Sequence, residues 1–288
     1  MGIPNVGYSI SRPMTNNPQT IIRPSIGLAY LDLREIWRYR DLLFMLAARE
    51  IQLRYKQTAF GVVWAVLQPL LPAAIFAVIF GLFAKLPSNG SPYLLFVFTG
   101  TMIWNLFSQA ITRAGNSLVG NANLISKVYF PRIIVPLSSV GAVLFDFLIT
   151  GLILVALMIV YRMPPGLNIL LFPAFLLLAL VTAIGISLWL SALNVKYRDF
   201  MYAMPFLVQV WLYATPVVYA SSLIPQKYRW IYSINPAVGF VEGFRWSVLG
   251  RGTLSASMLF VSAGVAAVTL VTGLIYFRTT ERKFADVI

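Results

Sequence analysis

Residues 133–161, IIVPLSSVGAVLFDFLITGLILVALMIVY, decide the fold, because these 29 residues contain a single charge, Asp146. A helix of about 20 apolar residues crosses the hydrocarbon core of a bilayer, so this stretch is long enough to span a membrane. Five further stretches of similar length contain no charged residue: 57–84, 86–112, 163–195, 200–226 and 252–277. The sequence therefore predicts an all-α integral membrane protein with six transmembrane helices.

The composition supports a membrane protein and excludes several kinds of site. Of the 288 residues, 59% are hydrophobic and only 11% are charged, whereas about 25% are charged in an ordinary soluble domain. Cysteine and histidine are both absent, which excludes disulfides, thiol catalysis and metal sites built on those side chains. The net charge of +13 is better explained by orientation and contact with anionic lipid than by nucleic acid, which we do not expect as a partner.

A single transmembrane domain is predicted over residues 1–288, with a flexible cytoplasmic tail (1–30), an interface helix (31–56), six spans (57–277) and a second cytoplasmic tail (278–288). The interface helix is predicted because seven apolar residues share one helical face: Leu33, Ile36, Trp37, Phe44, Ala47, Ile51 and Tyr55. Arg40 and Arg54 interrupt this face. A basic amphipathic helix before a span is typical of the membrane surface, although a soluble surface helix would show a similar pattern.

The distribution of Lys and Arg predicts the orientation. Six spans place both termini on one side, and with both termini inside, 16 of the 22 basic residues are cytoplasmic and 6 are external. Cytoplasmic segments carry the excess of Lys and Arg, so the sequence predicts N-in and C-in. The connections 114–130 and 194–199 are then cytoplasmic. The aromatic-rich segment 220–251 is external, and we predict short re-entrant helices there, the second starting at Asn235-Pro236.

The sequence also constrains the source of energy for any transport. It has no G-x-x-x-x-G-K-[ST] motif, so this chain does not bind ATP through a P-loop. Only one of its nine acidic residues, Asp146, lies deep in a predicted span. Carriers driven by protons or sodium ions use buried ionisable residues within their spans, so this scarcity indicates an energy source outside the chain.

Five motifs then resemble a known family. In chain order, they are the opening 49–55 (REIQLRY) with 61–70 (GVVWAVLQPL), 126–132 (SKVYFPR) with Pro136, 194–199 (NVKYRD), 215–219 (TPVVY), and 235–236 (NP) followed by Arg245. Together they resemble the membrane permeases of type-2 ATP-binding-cassette polysaccharide exporters. Those permeases serve O-antigen, capsule and teichoic-acid export. The resemblance covers roughly residues 45–250.

The resemblance implies the partners and the location. It implies a homodimer of this subunit with two copies of a separate P-loop ATPase, in the cytoplasmic membrane of a bacterium. The substrate is expected to be a polysaccharide on polyprenyl pyrophosphate. No cofactor is expected in this chain, because ATP and Mg²⁺ belong to the partner subunit. The family fold has six helices, an amphipathic helix before the first and re-entrant helices before the sixth.

A sugar polymer needs a wet path with flat apolar faces and hydrogen-bonding groups, and aromatic rings with polar tips supply both. We expect this path on the first, second and fifth spans, where aromatic and polar residues are neighbours. The candidate residues are Trp64, Gln68, Trp104, Asn105, Phe107, Gln109, Trp211 and Tyr213. Aromatic belts at the membrane surface are the alternative explanation for such residues.

The two remaining sets of candidate residues concern energy coupling and gating. Segment 114–130 predicts a short helix across the membrane face, capped by Asn116 or Ser117, with apolar residues that enter a cleft of the ATPase. The candidate coupling residues are Asn116, Leu118, Leu124, Ile125, Lys127 and Tyr129. On the external side, Glu242 and Arg245 are three residues apart on a predicted helix, where they can form an ion pair that shapes an outer gate.

Two other functions stay open at this point. A membrane-embedded enzyme acting on lipid-linked sugars needs charged groups clustered at one membrane face, whereas the predicted topology separates Asp199 and Glu242. A secondary carrier is disfavoured by the scarcity of buried charges. An adjacent gene for a P-loop ATPase would favour the exporter over both.

Overall fold

The computed structural model describes residues 33–56, 61–252, 254–281 and 284, and this part of the chain is helical without a strand. The N-terminal half contains α1 (Leu33–Arg38), α2 (Arg40–Tyr55), α3 (Gly61–Phe76), α4 (Tyr93–Gly120), α5 (Ala122–Lys127) and α6 (Ile134–Val160). The C-terminal half contains α7 (Phe172–Lys196), α8 (Asp199–Tyr213), α9 (Arg229–Ser233), α10 (Pro236–Leu249) and α11 (Ala256–Glu281). The predicted tail 1–30 lies outside the described residues.

Five helical segments of the described chain are long and apolar enough to cross a membrane: Val66–Phe83, Tyr93–Gly120, Ile134–Val160, Leu167–Lys196 and Ala256–Glu281. The first includes a π-helical extension of α3, and the fourth includes a 3₁₀ turn before α7. They agree with the first four predicted spans and the last. The all-helical membrane fold is therefore confirmed at this level.

The predicted fifth span, residues 200–226, is not one continuous helix. α8 has 15 residues, about 22 Å at 1.5 Å per residue, which is shorter than a hydrocarbon core of about 30 Å. The helix ends before Pro216, which has no amide hydrogen to donate and restricts the backbone of the residue before it. The chain continues through a non-helical segment and two short 3₁₀ turns. A sixth continuous span is thus absent from this part of the described chain.

α4 is the central helix of the bundle, because most of its residues are buried. It packs against α6 and α7, and α7 packs in turn against α11. The contact between α7 and α11 is close at Gly185, where an added Cβ would lie 2.7 Å from the backbone of Leu270. Small residues that let helix backbones approach are characteristic of packing in membranes.

The predicted interface helix is divided at Tyr39 into α1 and α2. Its predicted apolar stripe is also divided, because Ala47 is buried against the bundle while Trp37 and Phe44 are exposed. Ala47 lies beside Gly141 of α6, within 3.6 Å of where a Cβ would be. Arg54, which interrupts the stripe, points toward the bundle and contacts α6. The orientation of α2 therefore follows polar contacts as well as the apolar stripe.

α9 and α10 form a helical hairpin among the long helices. α10 starts as predicted at Asn235-Pro236, and the Asn235 side chain caps it by accepting a hydrogen bond from the Ala237 amide at 3.0 Å. Phe240 near this start packs against Phe107 of α4, with ring centroids 5.1 Å apart. Arg245 near the other end contacts Phe96, which is eleven residues or roughly 16 Å away along α4. The turn between α9 and α10 thus reaches the middle of α4.

The connection 114–130 is more helical than the sequence predicts. α4 continues through this region to Gly120 and bends at Asn121, and the short helix α5 follows. The prediction that Asn116 or Ser117 caps the short helix is therefore wrong, because both lie inside α4. Their side chains are hydrogen-bonded within or across helices instead.

Candidate functional site

An aromatic cluster occupies the contact between α4, α8 and α10. Phe107 is fully buried, and its ring lies 5.1 Å from Trp211 in an edge-to-face arrangement. Trp104 packs on both rings. Since Trp104 and Phe107 have almost no exposed surface in the described chain, they form the interior of a wall, and Trp211 is the member of the cluster that reaches a cavity.

A cavity of about 580 Å³ opens beside this wall, between α8 and the hairpin. Its lining is aromatic and aliphatic, with one amide: Trp211, Ala214, Tyr219, Ile224, Tyr228, Ile231, Tyr232 and Asn235. Asn235 ties the two sides together, since its side chain accepts from Trp211 Nε1 at 2.9 Å and donates to Thr215 Oγ1 at 3.0 Å. The Tyr219 and Tyr232 hydroxyls are 2.8 Å apart and form a hydrogen bond.

Two exposed amides distinguish α3 and α8 from the other long helices. Gln68 of α3 and Gln209 of α8 are exposed at positions within the apolar part of each helix. The exposed faces of α6, α7 and α11 within the described chain carry aliphatic residues and Phe at comparable positions. A polar side chain facing hydrocarbon without a partner costs free energy. Gln68 and Gln209 are therefore better placed against protein or water than against lipid.

The other predicted path residues lie in different surroundings. Tyr213 is exposed at the end of α8, and Asn105 is half-buried on α4. Gln109 belongs to a charged cluster described below. The side chain of Trp64 lies outside the described residues.

Arg245 and Glu242 form the ion pair that the sequence predicts, at 2.9 Å, and the structure adds three main-chain partners. Arg245, only 3% exposed, donates to the carbonyl oxygens of Phe96, Pro216 and Val217 at 3.2, 2.9 and 2.7 Å. Its guanidinium also stacks 3.8 Å from the Phe96 ring centroid. This group, the Arg245 clamp, binds the non-helical segment after α8, where the carbonyls have no helical partner.

Asp146 of α6 lies at a meeting point of three helices. Its Oδ2 forms ion pairs with Arg54 of α2 and with Arg113 of α4, whose Nη1 is 3.5 Å away. Its Oδ1 accepts a hydrogen bond from the Tyr55 hydroxyl at 2.7 Å. Gln109 accepts from Arg113 at 2.7 Å and from Arg54 at 3.4 Å. These five residues are called the Asp146 cluster below, and through them Asp146 faces protein.

The Asp146 cluster is more open than the Arg245 clamp. The side chains of Arg54 and Arg113 are 33% and 28% exposed. Partial burial lowers the pKa of Arg54, as expected for a cation that loses water, but an arginine remains charged at neutral pH. Two cations therefore share one carboxylate and one amide oxygen. In the sequence, the interruption of the apolar stripe by Arg54 indicated that this residue has a special contact. The sequence did not identify Asp146 as its partner.

The predicted coupling residues divide into a buried and an exposed group. Leu118 of α4 is fully buried and Ile125 of α5 nearly so, and both belong to one buried apolar cluster. These two residues therefore hold α5 to the bundle and do not project from it, contrary to prediction. Asn116 accepts a hydrogen bond from Asn194 of α7 at 2.8 Å. Lys127 and Tyr129 are exposed, and Leu124 is half-buried.

A further contact links this region to α11 and was missed in the sequence. The Arg132 amide donates to Glu281 Oε1 at 3.1 Å, and its guanidinium donates to the Glu281 carbonyl oxygen. Glu281 also pairs with Arg278 at 3.0 Å. The segment that follows α5 is therefore fastened to the end of α11. Residues 132 and 281 are far apart in the sequence and have no shared pattern, so only the fold reveals this pairing.

Comparisons with known proteins agree on one family. A family model described as "ABC-2 type transporter" matches residues 41–249. An O-antigen export system permease protein RfbA of Klebsiella pneumoniae is 31% identical over 249 residues, covering 86% of this chain and 95% of the relative. RfbA of Myxococcus xanthus is 27% identical over 88% of this chain and 98% of the relative. A polysialic acid transport protein KpsM of Escherichia coli is 24% identical, over 81% and 91%.

Proposed function

Since the chain belongs to the ABC-2 type transporter membrane family, we propose that it is the membrane-spanning subunit of an ATP-driven exporter of a lipid-linked, O-antigen-like polysaccharide. The relatives named as O-antigen export permeases align over nearly their whole length, which supports polysaccharide as the substrate. The five apolar helices support a multi-pass protein of the cytoplasmic membrane.

The observation that carries the proposal is the pair of exposed amides on α3 and α8. If two copies of the subunit meet through these faces, Gln68 and Gln209 face the interface and not lipid. A path between the copies would then be lined by amides, by Tyr213 and by the cavity around Trp211 and Tyr232. Such a surface provides flat apolar faces and hydrogen-bonding groups to a sugar chain, so a homodimer accounts for both features.

The orientation that we propose remains N-in and C-in. α8 and the hairpin of α9 and α10 would together form the fifth of six membrane crossings. The non-helical segment between α8 and the hairpin would be buried in protein. Non-helical backbone is tolerated at membrane depth when its polar groups are hydrogen-bonded. Arg245 donates such hydrogen bonds to the carbonyl oxygens of Pro216 and Val217. Ser222 and Ser126, both exposed, would then lie on opposite sides of the membrane.

Energy would enter from two copies of a separate ATPase, which would hold ATP and Mg²⁺. The surface available for this partner on the side of α5 includes Lys127 and Tyr129, both exposed, with Leu124 beside them. Ile125 of α5 is buried in one cluster with Leu118 of α4, so a movement of α5 would be transmitted to the bundle. Arg132 and Glu281 would carry the same push to α11.

The proposed function is tested by reconstitution. The chain is purified together with the P-loop ATPase that copurifies with it and is placed in liposomes that contain the polyprenyl-pyrophosphate-linked polysaccharide of the source cell. We expect the glycan to stimulate ATP hydrolysis and to become accessible across the bilayer only when ATP is present. Transfer without ATP, driven by an ion gradient, would instead support a secondary carrier. Conversion of the glycan into a new product would support an enzyme.

Single cysteines test the orientation, because the chain has none of its own. In intact cells, a membrane-impermeant maleimide is expected to label Ser222→Cys and to leave Ser126→Cys unlabelled until the membrane is permeabilised. The opposite pattern would reverse the topology and place α5 away from the ATPase.

The coupling surface is tested by Leu124→Asp, with Asn123→Asp on an exposed neighbouring position as the matched control for charge. We expect Leu124→Asp to insert normally but to release the ATPase or to hydrolyse ATP without export. Asn123→Asp should behave more like the unmodified subunit. Normal ATPase binding and export by Leu124→Asp would place the coupling surface elsewhere, with α2 as the next candidate.

A further inference from the structure

In the Asp146 cluster, two arginines compete for one carboxylate oxygen. Arg54 and Arg113 approach the same carboxylate oxygen, Oδ2, from two different helices. A guanidinium and a carboxylate form their strongest contact when two parallel hydrogen bonds are made, and a shared oxygen prevents both cations from doing so at once. Arg113, 3.5 Å away, is held mainly through Gln109.

In the first half of α2, Leu42, Leu43 and Leu46 pack against the bundle, and polar contacts help to fasten its second half to α6. Leu46 and Ala47 are the buried residues of α2, while Phe44, Met45 and Leu53 are exposed. Beyond Ala47, α2 contacts α6 through polar groups and through the Tyr55 ring, whose centroid lies 6.1 Å from that of Phe145. Glu50 accepts a hydrogen bond from Ser139 at 2.6 Å, and the end of α2 is held by Asp146.

We propose that Asp146 is a positioning residue for transport, at which Arg54 and Arg113 exchange on one oxygen as α2 moves along α6. In the described arrangement, Arg54 holds the carboxylate and α2 is fastened to α6. When α2 moves away, Arg113 takes over the same oxygen, so the carboxylate keeps a cationic partner in both positions. This inference rests on the proposed function, because it assumes that the subunit moves during a transport cycle.

A reversible cross-link between α2 and α6 tests whether this motion is needed. A Cβ at Gly141 would lie 3.6 Å from that of Ala47, within the range of about 3.5–4.5 Å found in disulfides. In the reconstituted complex, oxidised Ala47→Cys/Gly141→Cys is expected to lose most of its export, because a locked element blocks a conformational step, and to recover it on reduction. Equal export in the oxidised and reduced states would overturn the inference while leaving the proposed function intact.

A second cross-link provides the control for a contact that is not expected to move. Gly115 of α4 and Leu190 of α7 lie in the closely packed centre, where a Cβ at Gly115 would be 3.3 Å from that of Leu190, just below the range of about 3.5–4.5 Å found in disulfides. Oxidised Gly115→Cys/Leu190→Cys should export as its reduced form does. Single-cysteine variants treated with the same oxidant control for chemical damage.

The rate of cross-linking tests the exchange itself. In the Ala47→Cys/Gly141→Cys background, Arg113→Gln leaves Arg54 as the one cation on Oδ2, so the disulfide should form faster during ATP hydrolysis. Arg54→Gln leaves Arg113 there and should slow the disulfide, while Tyr55→Phe should change the rate less than either. Rates that are the same in the two arginine variants would contradict the exchange.

Variants without cysteine separate positioning from stability. Asp146→Asn should lower the amount of glycan exported per ATP hydrolysed, and Asp146→Glu should restore part of it, with similar amounts of assembled complex in each case. If export and assembly fall together and Asp146→Glu restores neither, the role of Asp146 is only structural. A subunit that exports nothing even without substitutions would contradict the proposed function, and the cross-linking rates would still decide the exchange.

Discussion

The Arg245 clamp and the Asp146 cluster lie toward opposite ends of α4 and satisfy their cations differently. Arg245 is almost fully buried and has four partners of its own, three of them carbonyl oxygens of the main chain. Arg54 and Arg113 are about one-third exposed and compete for one carboxylate oxygen. Carbonyl oxygens of a folded chain are fixed, whereas ion pairs between side chains can exchange. An arginine can therefore hold a segment permanently, as Arg245 does, or through an ion pair that can exchange, as Arg54 does.

The largest effect is expected when the Arg245 clamp loses its cation. Arg245→Met would leave Glu242 and three carbonyl oxygens without this partner, and breaking a buried ion pair costs about 3–5 kcal/mol. We expect little folded protein in detergent and a much lower thermal transition. Arg245→Lys keeps the charge but cannot make the forked contacts, so it should be intermediate. A normal melting curve for Arg245→Met would show that the Arg245 clamp is not needed for stability.

A smaller loss is expected at Gly100, which lies against the same arginine. A Cβ at this position would overlap Arg245 Nη2 and the Val217 carbonyl oxygen, and overpacking of this kind costs about 1–3 kcal/mol. Gly264→Ala is the matched control, because it lies in α11 with nothing within 4 Å of the added Cβ. The thermal transition should fall for Gly100→Ala and not for Gly264→Ala. Equal transitions would mean that the clamp has room to relax.

Removal of the charge at Asp146 should affect stability less than removal of Arg245. Charge-assisted hydrogen bonds contribute about 1.5–3 kcal/mol, and part of this is regained because water reaches Arg54 and Arg113. We expect Asp146→Asn to assemble with a modestly lower thermal transition. A loss of folding as severe as that of Arg245→Met would erase the proposed difference between the two sites.

The smallest effect is expected at Glu242, where the amide of Gln keeps an acceptor for Arg245. Glu242→Gln loses the charge but not the geometry of the 2.9 Å contact, so a change of about 1 kcal/mol is expected. Lys227→Gln, on an exposed residue, should have no measurable effect. The difference between these two transitions, measured side by side, checks whether the pair is structural. Equal tolerance would make Glu242 an ordinary surface charge.

The sequence predicted the helices well where the pattern is local. The charge-free stretches identified five of the long helices, and Asn235-Pro236 identified the start of α10. The pair Glu242–Arg245 was predicted correctly because three residues along a helix place two side chains on one face. The prediction of one continuous helix over residues 200–226 was wrong, because α8 ends at Tyr213. The absence of charged residues does not indicate where a helix ends.

Contacts between distant segments were not available from the sequence. In the sequence, Leu118 and Leu124 were both predicted as apolar residues of a surface segment. In the structure Leu118 is fully buried and Leu124 is half-buried. Asp146 was visible in the sequence as the single charge of residues 133–161. The identity of its partners, Arg54 and Arg113, depends on how α2 and α4 pack against α6.

The sequence by itself determined that this chain is a helical membrane protein, because the cost of placing charge in hydrocarbon limits where charged residues occur along the chain. Only the tertiary structure decided which arginine is fixed and which can exchange. That distinction depends on the number, the burial and the mobility of the acceptors around each guanidinium. Those acceptors come from segments far apart in the sequence, such as Phe96 and Val217 around Arg245, and their convergence is a property of packing.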